Sequence, residues 1–348
     1  MTKHKATNGL AKGWVKGNAT LETSNGKQKQ VVFLDAETMD LPSLDTSSLD
    51  DVQNNFDAAI TLHQQTQDED VAARIKNADA VLVNKVVLHA KDLQQASQLR
   101  YIGVTATGMN NIDRDYCEQA GIIVQNVEGY GTDSVAQHTL TLALNLATNF
   151  VAYQRDVSNQ AWSASSHFCL LNHPVVELAG KHAVIVGHGE LGKRVEALFQ
   201  AMGMQVSIAA RPGKQDDPRP SLEALLPDAD LISLHCPLTE ATDKLINADR
   251  LSLMKPTAFL INTARGGLID EEALYHALKN NQIGGAGLDV LSVEPPPVDH
   301  ILLKEALPNL LVTPHNAWIG NGARQKLLNS AIAHLSAHLS SCSSDPQG

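Results

Sequence analysis

The chain has 348 residues, a formal net charge of −11, and a 43% share of hydrophobic residues. That length suits about two domains at the usual ~150 residues each, and the apolar share excludes disorder of the whole chain. No run approaches the roughly 18 to 20 uninterrupted apolar residues of a membrane helix, the N-terminus lacks the apolar core of a secretion signal, and an acidic balance argues against nucleic acid, whose phosphates need a basic face. A cytoplasmic protein with neither a nucleic-acid nor a membrane partner is expected. Cys117, Cys169, Cys236 and Cys342 lie far apart, without the paired spacing of zinc or redox sites. Reduced thiols and no metal are therefore expected.

Residues 1–29 carry six Lys against one Glu, among scattered Gly, Asn, Thr and Ser. With no apolar period, they predict a disordered leader. A transit peptide is the alternative, but such peptides favour Arg and this segment has none. From residue 31, short β-branched apolar runs alternate with helix-like segments, the pattern of parallel sheets with crossover helices. Strands are expected at 31–36, 60–64, 80–84, 101–105 and 122–127, with helical spacing at 69–77 and 90–99. The turn Gly129-Tyr130-Gly131 leads into a Leu- and Ala-rich helix expected over 132–155, where Thr132 can cap and Asp133 suits the positive end of the dipole. A second series of strands is expected at 183–187, 205–209, 231–235, 258–262, 285–289 and 311–313, with loops at 211–220 and 294–299. A last helix, 323–339, could return to the first domain, and 340–348 reads as an unstructured tail. The fold class is α/β, with two doubly wound parallel-sheet domains.

Gly187-His188-Gly189-Glu190-Leu191-Gly192 fits G-x-G-x-x-G. The match alone is weak, but a strand-like run precedes it, a helix-like run follows, and a second strand comes next. In that βαβ setting the first Gly makes the turn, the second admits a pyrophosphate and the third lets helix pack on strand. The helix N-terminus offers free amides to phosphate. An NAD site usually presents an acidic residue at the end of the second strand, yet Ala210 and Arg211 stand there. Arg211, with Arg219 or Lys214 nearby, could pair with a 2′-phosphate. NADP is favoured on this ground; NAD is the alternative if Arg211 is only a solvated loop residue.

Three further segments follow expected strands: Thr263-Ala264-Arg265-Gly266-Gly267, Asp289 through Pro295, and Thr313-Pro314-His315-Asn316-Ala317-Trp318. Reducing a 2-oxo acid requires a grip on its carboxylate, for which the Arg265 fork is suited. It also requires a proton for the new alkoxide, and His315 is the candidate acid. Glu294, on the far ring nitrogen, would fix the tautomer and favour the charged acid. Singly, each of the three is more often a surface residue. Their joint position after strands of a unit with a phosphate turn makes Arg265, Glu294 and His315 the catalytic candidates.

These residues resemble the D-isomer-specific 2-hydroxyacid dehydrogenases over roughly residues 31–340. The motifs that carry the resemblance are Gly187–Gly192, the block 254–267, Gly287-Leu288-Asp289-Val290, Glu294-Pro295 and Pro314-His315. Val83-Asn84-Lys85-Val86, the run 106–113, Ser134-Val135-Ala136-Gln137-His138, Phe168-Cys169-Leu170-Leu171 and Trp318 are similar to the glycerate dehydrogenase (hydroxypyruvate reductase) branch. The resemblance implies a Rossmann-type cofactor domain, 128–317, inserted in a flavodoxin-like substrate domain, 30–127 and 318–348. It also implies a homodimer with the helix after Thr132 at the subunit contact. Asn84, Lys85, Gly108 and Trp318 would line the substrate site beside Arg265, with backbone N–H groups of the strand-end loop meeting the substrate carboxylate. Asp289 would meet the nicotinamide carboxamide, and His235, Pro237 and Thr263 would line the cofactor cleft.

The implied activity is hydride transfer between NAD(P)H and a small 2-oxo or D-2-hydroxy acid, hydroxypyruvate and glyoxylate first. Phosphoglycerate and D-lactate dehydrogenases are alternatives, as is a non-catalytic NAD(P)-sensing regulator on the same fold. The chain departs from the pattern in three places. Asp133 stands where small residues are common, Asn316 stands where an apolar residue is usual, and the acidic ribose reader is missing. Asp133 would add negative charge near the nicotinamide, and Asn316 would alter the polarity around His315.

Overall fold

Runs such as Ala80–Val83 and Leu231–Leu234 are buried at every position, as strands are when helices cover both faces of a parallel sheet. The computed structural model, which describes residues 28–214 and 216–343, assembles them into two parallel-sheet α/β domains. The first sheet holds β1 (Lys29–Phe33), β2 (Ala58–Leu62), β3 (Ala80–Val83), β4 (Tyr101–Val104) and β5 (Ile123–Gln125) in the order β2-β1-β3-β4-β5. That is the flavodoxin-like order, with its switch point between β1 and β3. Its connections include α1 (Ser47–Phe56), α2 (Val71–Ile75), α3 (Ala90–Leu93) and α4 (Arg114–Ala120).

Helices α5 (Thr132–Thr148) and α6 (Phe150–Ser158) lead to the second sheet. It holds β6 (His182–Val186), β7 (Gln205–Ile208), β8 (Leu231–Leu234), β9 (Phe259–Asn262), β10 (Gly285–Leu288) and β11 (Leu310–Val312), ordered β11-β10-β9-β8-β6-β7. The chain order reverses at β6, so the Rossmann-type crevice opens between β6 and β8. The connecting helices are α7 (Glu190–Ala201), α8 (Leu222–Leu225), α9 (Ala248–Leu253) and α10 (Glu271–Lys279), and α11 (Asn321–Ser343) closes the chain. Among the described residues, no helix is long and apolar enough to cross a membrane.

All the expected strands are present, but several helices differ. The helix expected over 132–155 is two, because Asn149 takes a φ of 50°, a left-handed conformation that Asn tolerates better than most residues. Its N–H caps the Asn145 carbonyl and its side-chain amide donates to the Pro174 carbonyl at 2.6 Å. The helical segments expected at 69–77 and 90–99 are reduced to the short α2 and α3. Strand β1 already begins at Lys29, inside the expected leader; residues 1–27 of that leader lie outside the described residues. Helix α11 runs past residue 340 because Leu339 still packs in the first core, and 344–348 lie outside the described residues.

The cores explain where these helices belong. Ala136, Leu142, Ala143 and Leu146 of α5 are buried against Ile185, Phe259 and Ile261 of the second sheet. From α11, Leu327, Leu328, Ala331, Ile332 and Leu335 are buried against Val31, Phe33 and Leu82 of the first. Leu335→Ala should therefore destabilise the protein by about 2–5 kcal/mol in denaturant unfolding while leaving dinucleotide affinity of the folded protein unchanged.

Candidate active site

At the end of β6, Gly187 turns with a φ of 95°, and a Cβ there would lie 2.5 Å from the His235 backbone carbon. A Cβ on Gly192 would lie 2.1 Å from the Gly187 carbonyl oxygen, whereas one on Gly189 would meet nothing within 4 Å. The turn thus packs tightly on its flanks and leaves open space at its middle, which fits a dinucleotide pyrophosphate laid over the start of α7. His188 turns onto α7, its Nε2 2.6 Å from Glu196 Oε2, and Glu190 accepts a hydrogen bond from the Thr132 hydroxyl at 2.8 Å. Leu191 is half-buried in the first turn of α7. Across the crevice, His235 Nε2 meets Ser233 Oγ at 2.8 Å while its buried Nδ1 has no partner among the described residues. Burial pushes its pKa down to about 3, so the ring is neutral. Pro237 follows, its carbonyl accepting from the Thr242 hydroxyl.

Beyond β7 the structure corrects one expectation. A carboxylate does stand at this edge: Asp217 accepts from the Arg211 backbone N–H and Nε, at 3.1 and 3.2 Å, and from Arg219 Nε at 2.8 Å and Nη2 at 2.5 Å. The hydrogen bonds from Arg219 first, then those from Arg211, hold its carboxyl far below the usual carboxylate range. The Arg211 side chain remains 63% exposed.

Strands β9, β10 and β11 are neighbours and parallel, so the three catalytic segments leave the sheet side by side. Glu294 Oε2 lies 2.6 Å from His315 Nδ1, and its Oε1 accepts from the Leu291 N–H at 2.9 Å. Burial pushes the Glu294 pKa up, but the hydrogen bonds from His315 and Leu291 and the charges of His315 and Lys85 outweigh it, leaving the net shift downward. Arg265 donates to the Ala264 carbonyl through Nη1, and its own carbonyl accepts from Asn262 Nδ2. A Cβ on Gly108 would lie 3.0 Å from Arg265 Nη2, so the first domain faces the guanidinium directly. Lys85 stands exposed within reach of their charges: desolvation first, then the Arg265 charge, lowers its pKa, against the opposing pull of Glu294 and Asp35.

Other residues are placed differently from expectation. The backbone N–H groups of Asn84 and Lys85, expected to meet the substrate carboxylate, donate with that of Val86 to the buried carboxylate of Asp35, at 2.8, 2.6 and 3.1 Å. Asn84 is itself buried, its amide on the Thr38 hydroxyl. The Thr263 hydroxyl meets that of Thr139 at 2.9 Å. Asp289, expected at the carboxamide, is 1% exposed; its oxygens accept from the Thr313 hydroxyl at 2.5 Å and from the Asn316 and Ala317 N–H groups at 3.0 and 2.9 Å. Trp318 packs edge-on to Tyr130, ring centres 6.4 Å apart. Asp133, expected to bring charge toward the nicotinamide, is exposed and paired with Arg194 at 2.7 Å. Asn316 Oδ1 is buried and has no partner among the described residues.

Asp35, which holds the loop 84–86, is a residue that motif matching missed, although its position directly after a strand at a switch point is a signal that sequence offers. Asn111, whose Nδ2 donates to the Val86 carbonyl at 2.9 Å, fixes the same loop from the other side and carries no such signal.

A phosphate turn at one switch point and an Arg, Glu and His set on three adjacent strand ends define a dinucleotide-dependent oxidoreductase. The model of the D-isomer specific 2-hydroxyacid dehydrogenase NAD binding domain matches residues 140–317. The glycerate dehydrogenase of Methylorubrum extorquens is 37% identical over 313 residues, 89% of this chain and 96% of that one. The hydroxypyruvate reductase of Blautia hydrogenotrophica is 33% identical over 279 residues, 79% and 86% of the two chains. A solved acyclic imino acid reductase in complex with NADPH and D-Arg superposes with a TM-score of 0.76 at 26% identity, covering 90% of this chain and 97% of that one. The chain belongs to the D-isomer specific 2-hydroxyacid dehydrogenase family, and it is an NAD(P)-dependent 2-hydroxyacid dehydrogenase.

Because the folded environment lowers the Lys85 pKa from its ordinary 10.5, Lys85 loses its charge earlier than a solvated lysine as pH rises. The KM for a 2-oxo acid should accordingly climb on the alkaline side before pH 10.5, and Lys85→Met should show a raised KM that no longer changes there; steady-state kinetics across pH check both.

Proposed function

We propose that the chain reduces small 2-oxo acids, hydroxypyruvate and glyoxylate first, to their D-2-hydroxy acids, with NADPH preferred over NADH. The observation that carries this is the 2.6 Å contact between Glu294 and His315 beside a cleft where Arg265 faces Gly108 and Lys85. Bound NAD(P)H supplies the hydride that reaches C2. Arg265 grips the substrate carboxylate and polarises its carbonyl, and Lys85 adds positive charge to the same cleft. With Nδ1 on Glu294, Nε2 of His315 is the nitrogen left to hand a proton to the substrate oxygen as C2 becomes tetrahedral. In the reverse direction it takes that proton back. Glu294 keeps the ring in the orientation both steps need.

The NADPH preference rests on Arg211 and Arg219 at the end of β7. Two guanidinium groups share one carboxylate, which leaves net positive charge where a 2′-phosphate would lie. We infer further that 30–127 with 318–348 form the substrate domain and 128–317 the dinucleotide domain, a division supported by the separate cores that α5 and α11 join. A homodimer is supported by the apolar side chains that α6 and the segment after it expose, among them Phe150, Val151, Trp162, Phe168 at 91% and Leu171 at 88%. A patch of this kind marks an interaction surface. The free thiols of Cys117, Cys169 and Cys236 support a reducing, cytoplasmic setting.

Following the reduced-nicotinamide absorbance with hydroxypyruvate, glyoxylate, pyruvate and phosphohydroxypyruvate tests the reading. Hydroxypyruvate should consume NADPH fastest; dinucleotide binding without consumption of any 2-oxo acid would point instead to a dinucleotide-sensing protein. His315→Ala should cut kcat by about 10²–10⁴-fold and Arg265→Ala should cut kcat/KM by a comparable factor, each with the NADPH dissociation constant nearly unchanged by fluorescence titration. Arg211→Asp should weaken NADPH about tenfold or more, as loss of a charge-assisted phosphate contact does, and move preference toward NADH.

A further inference from the structure

Helix α5 reaches every loop that carries the catalytic set. Ser134 Oγ donates to the Ala317 carbonyl at 2.6 Å. Four residues on, and so on the same face, His138 Nε2 lies 2.9 Å from Thr313 Oγ1 and 3.4 Å from Asp289 Oδ1. The next residue, Thr139, meets Thr263, two residues before Arg265.

The hydrogen-bond directions are fixed by what the partners can do. A carboxylate only accepts, so the single Thr313 hydroxyl proton goes to Asp289 at 2.5 Å, and Thr313 Oγ1 must accept from His138. His138 therefore carries its proton on Nε2. Asp289 passes the constraint on by accepting from the Asn316 and Ala317 amides and, through its carbonyl, from the His315 N–H at 2.9 Å. The loop needs such restraint, because His315 itself sits at a φ of 49°, a conformation that a non-glycine side chain holds only when its surroundings dictate it.

We propose that His138 is a positioning residue for the reaction: through Thr313 and Asp289 it holds His315 at the angle that brings Nδ1 onto Glu294 and leaves Nε2 for the substrate. This rests on the reaction read above. The role assigned to His138 is to place the acid through its contacts with Thr313 and Asp289, and not to bind substrate or cofactor.

The test compares His138→Leu, which keeps bulk without a donor, with His138→Gln, whose amide nitrogen can take the place of Nε2. His138→Leu should lower kcat by about 10–100-fold, the scale of a misplaced reacting group, with KM and the NADPH dissociation constant near wild type. The primary deuterium isotope effect from labelled NADPH should rise, since the chemical step becomes limiting; mere loss of active protein would leave it unchanged. His138→Gln should recover most of the rate. Thr313→Val should match His138→Leu, and the double variant should be no worse than either, because both break one chain. In cofactor-free protein labelled with 15N-histidine, the His315 ring signals, assigned with His315→Asn, should move in His138→Leu and return in His138→Gln. Wild-type rate and isotope effect in His138→Leu, additive losses in the double variant, or an unmoved His315 signal would overturn the proposal. The labelled spectra decide it even if the wild-type protein reduces no 2-oxo acid, a result that counts against the proposed reaction alone.

Discussion

A buried carboxylate is costly unless donors meet its oxygens, and the geometry of this active site depends on how Asp289 meets that condition. It stands just past β10, between the loops that leave β9 and β11, and is satisfied by one hydroxyl and two backbone amides of the 313–317 loop. Making those bonds removes the loop's freedom. His315 is then carried into a left-handed backbone conformation and onto Glu294, which the Leu291 amide fixes from the other side. The backbone of the site's acid is thus held by a buried charge beneath it, and its ring by the more exposed contact with Glu294.

The same device recurs in the first sheet. Asp35 follows β1 at the switch point with β3, and its carboxylate takes three successive amides of residues 84–86. Open α/β sheets usually bind a ligand in such a crevice. Here the first sheet fills its crevice with an internal anion, which fixes the backbone of residues 84–86, whereas the Gly187–Gly192 turn stands at the crevice of the second. Both domains contribute to one cleft through buried acids at strand ends.

The fold was legible because its signals are local. Buried β-branched runs mark each strand, and the Gly187–Gly192 turn lies between a strand and a helix as its flanking sequence indicates. Arg265, Glu294 and His315 were legible as residues that follow strands, and the structure sets them in the loops after adjacent strands. The rest depends on contacts distant in sequence or on single backbone angles. The left-handed Asn149 that divides the long helix has no strong local signature. Asp217 lies six residues beyond Arg211, in a loop whose fold decides whether the two meet. The amides of Asn84 and Lys85 look available until Asp35, some fifty residues earlier, is brought beside them.

The break at Asn149 also separates two kinds of selection. The residues by which α5 touches the catalytic loops, 134 to 139, lie within its first two turns; Asn149 is ten residues, or about 15 Å of helix, beyond Thr139. Past that break the chain becomes an arm of exposed apolar side chains. A substitution in the exposed segment past Asn149 therefore falls outside the hydrogen bonds that tie α5 to the catalytic loops.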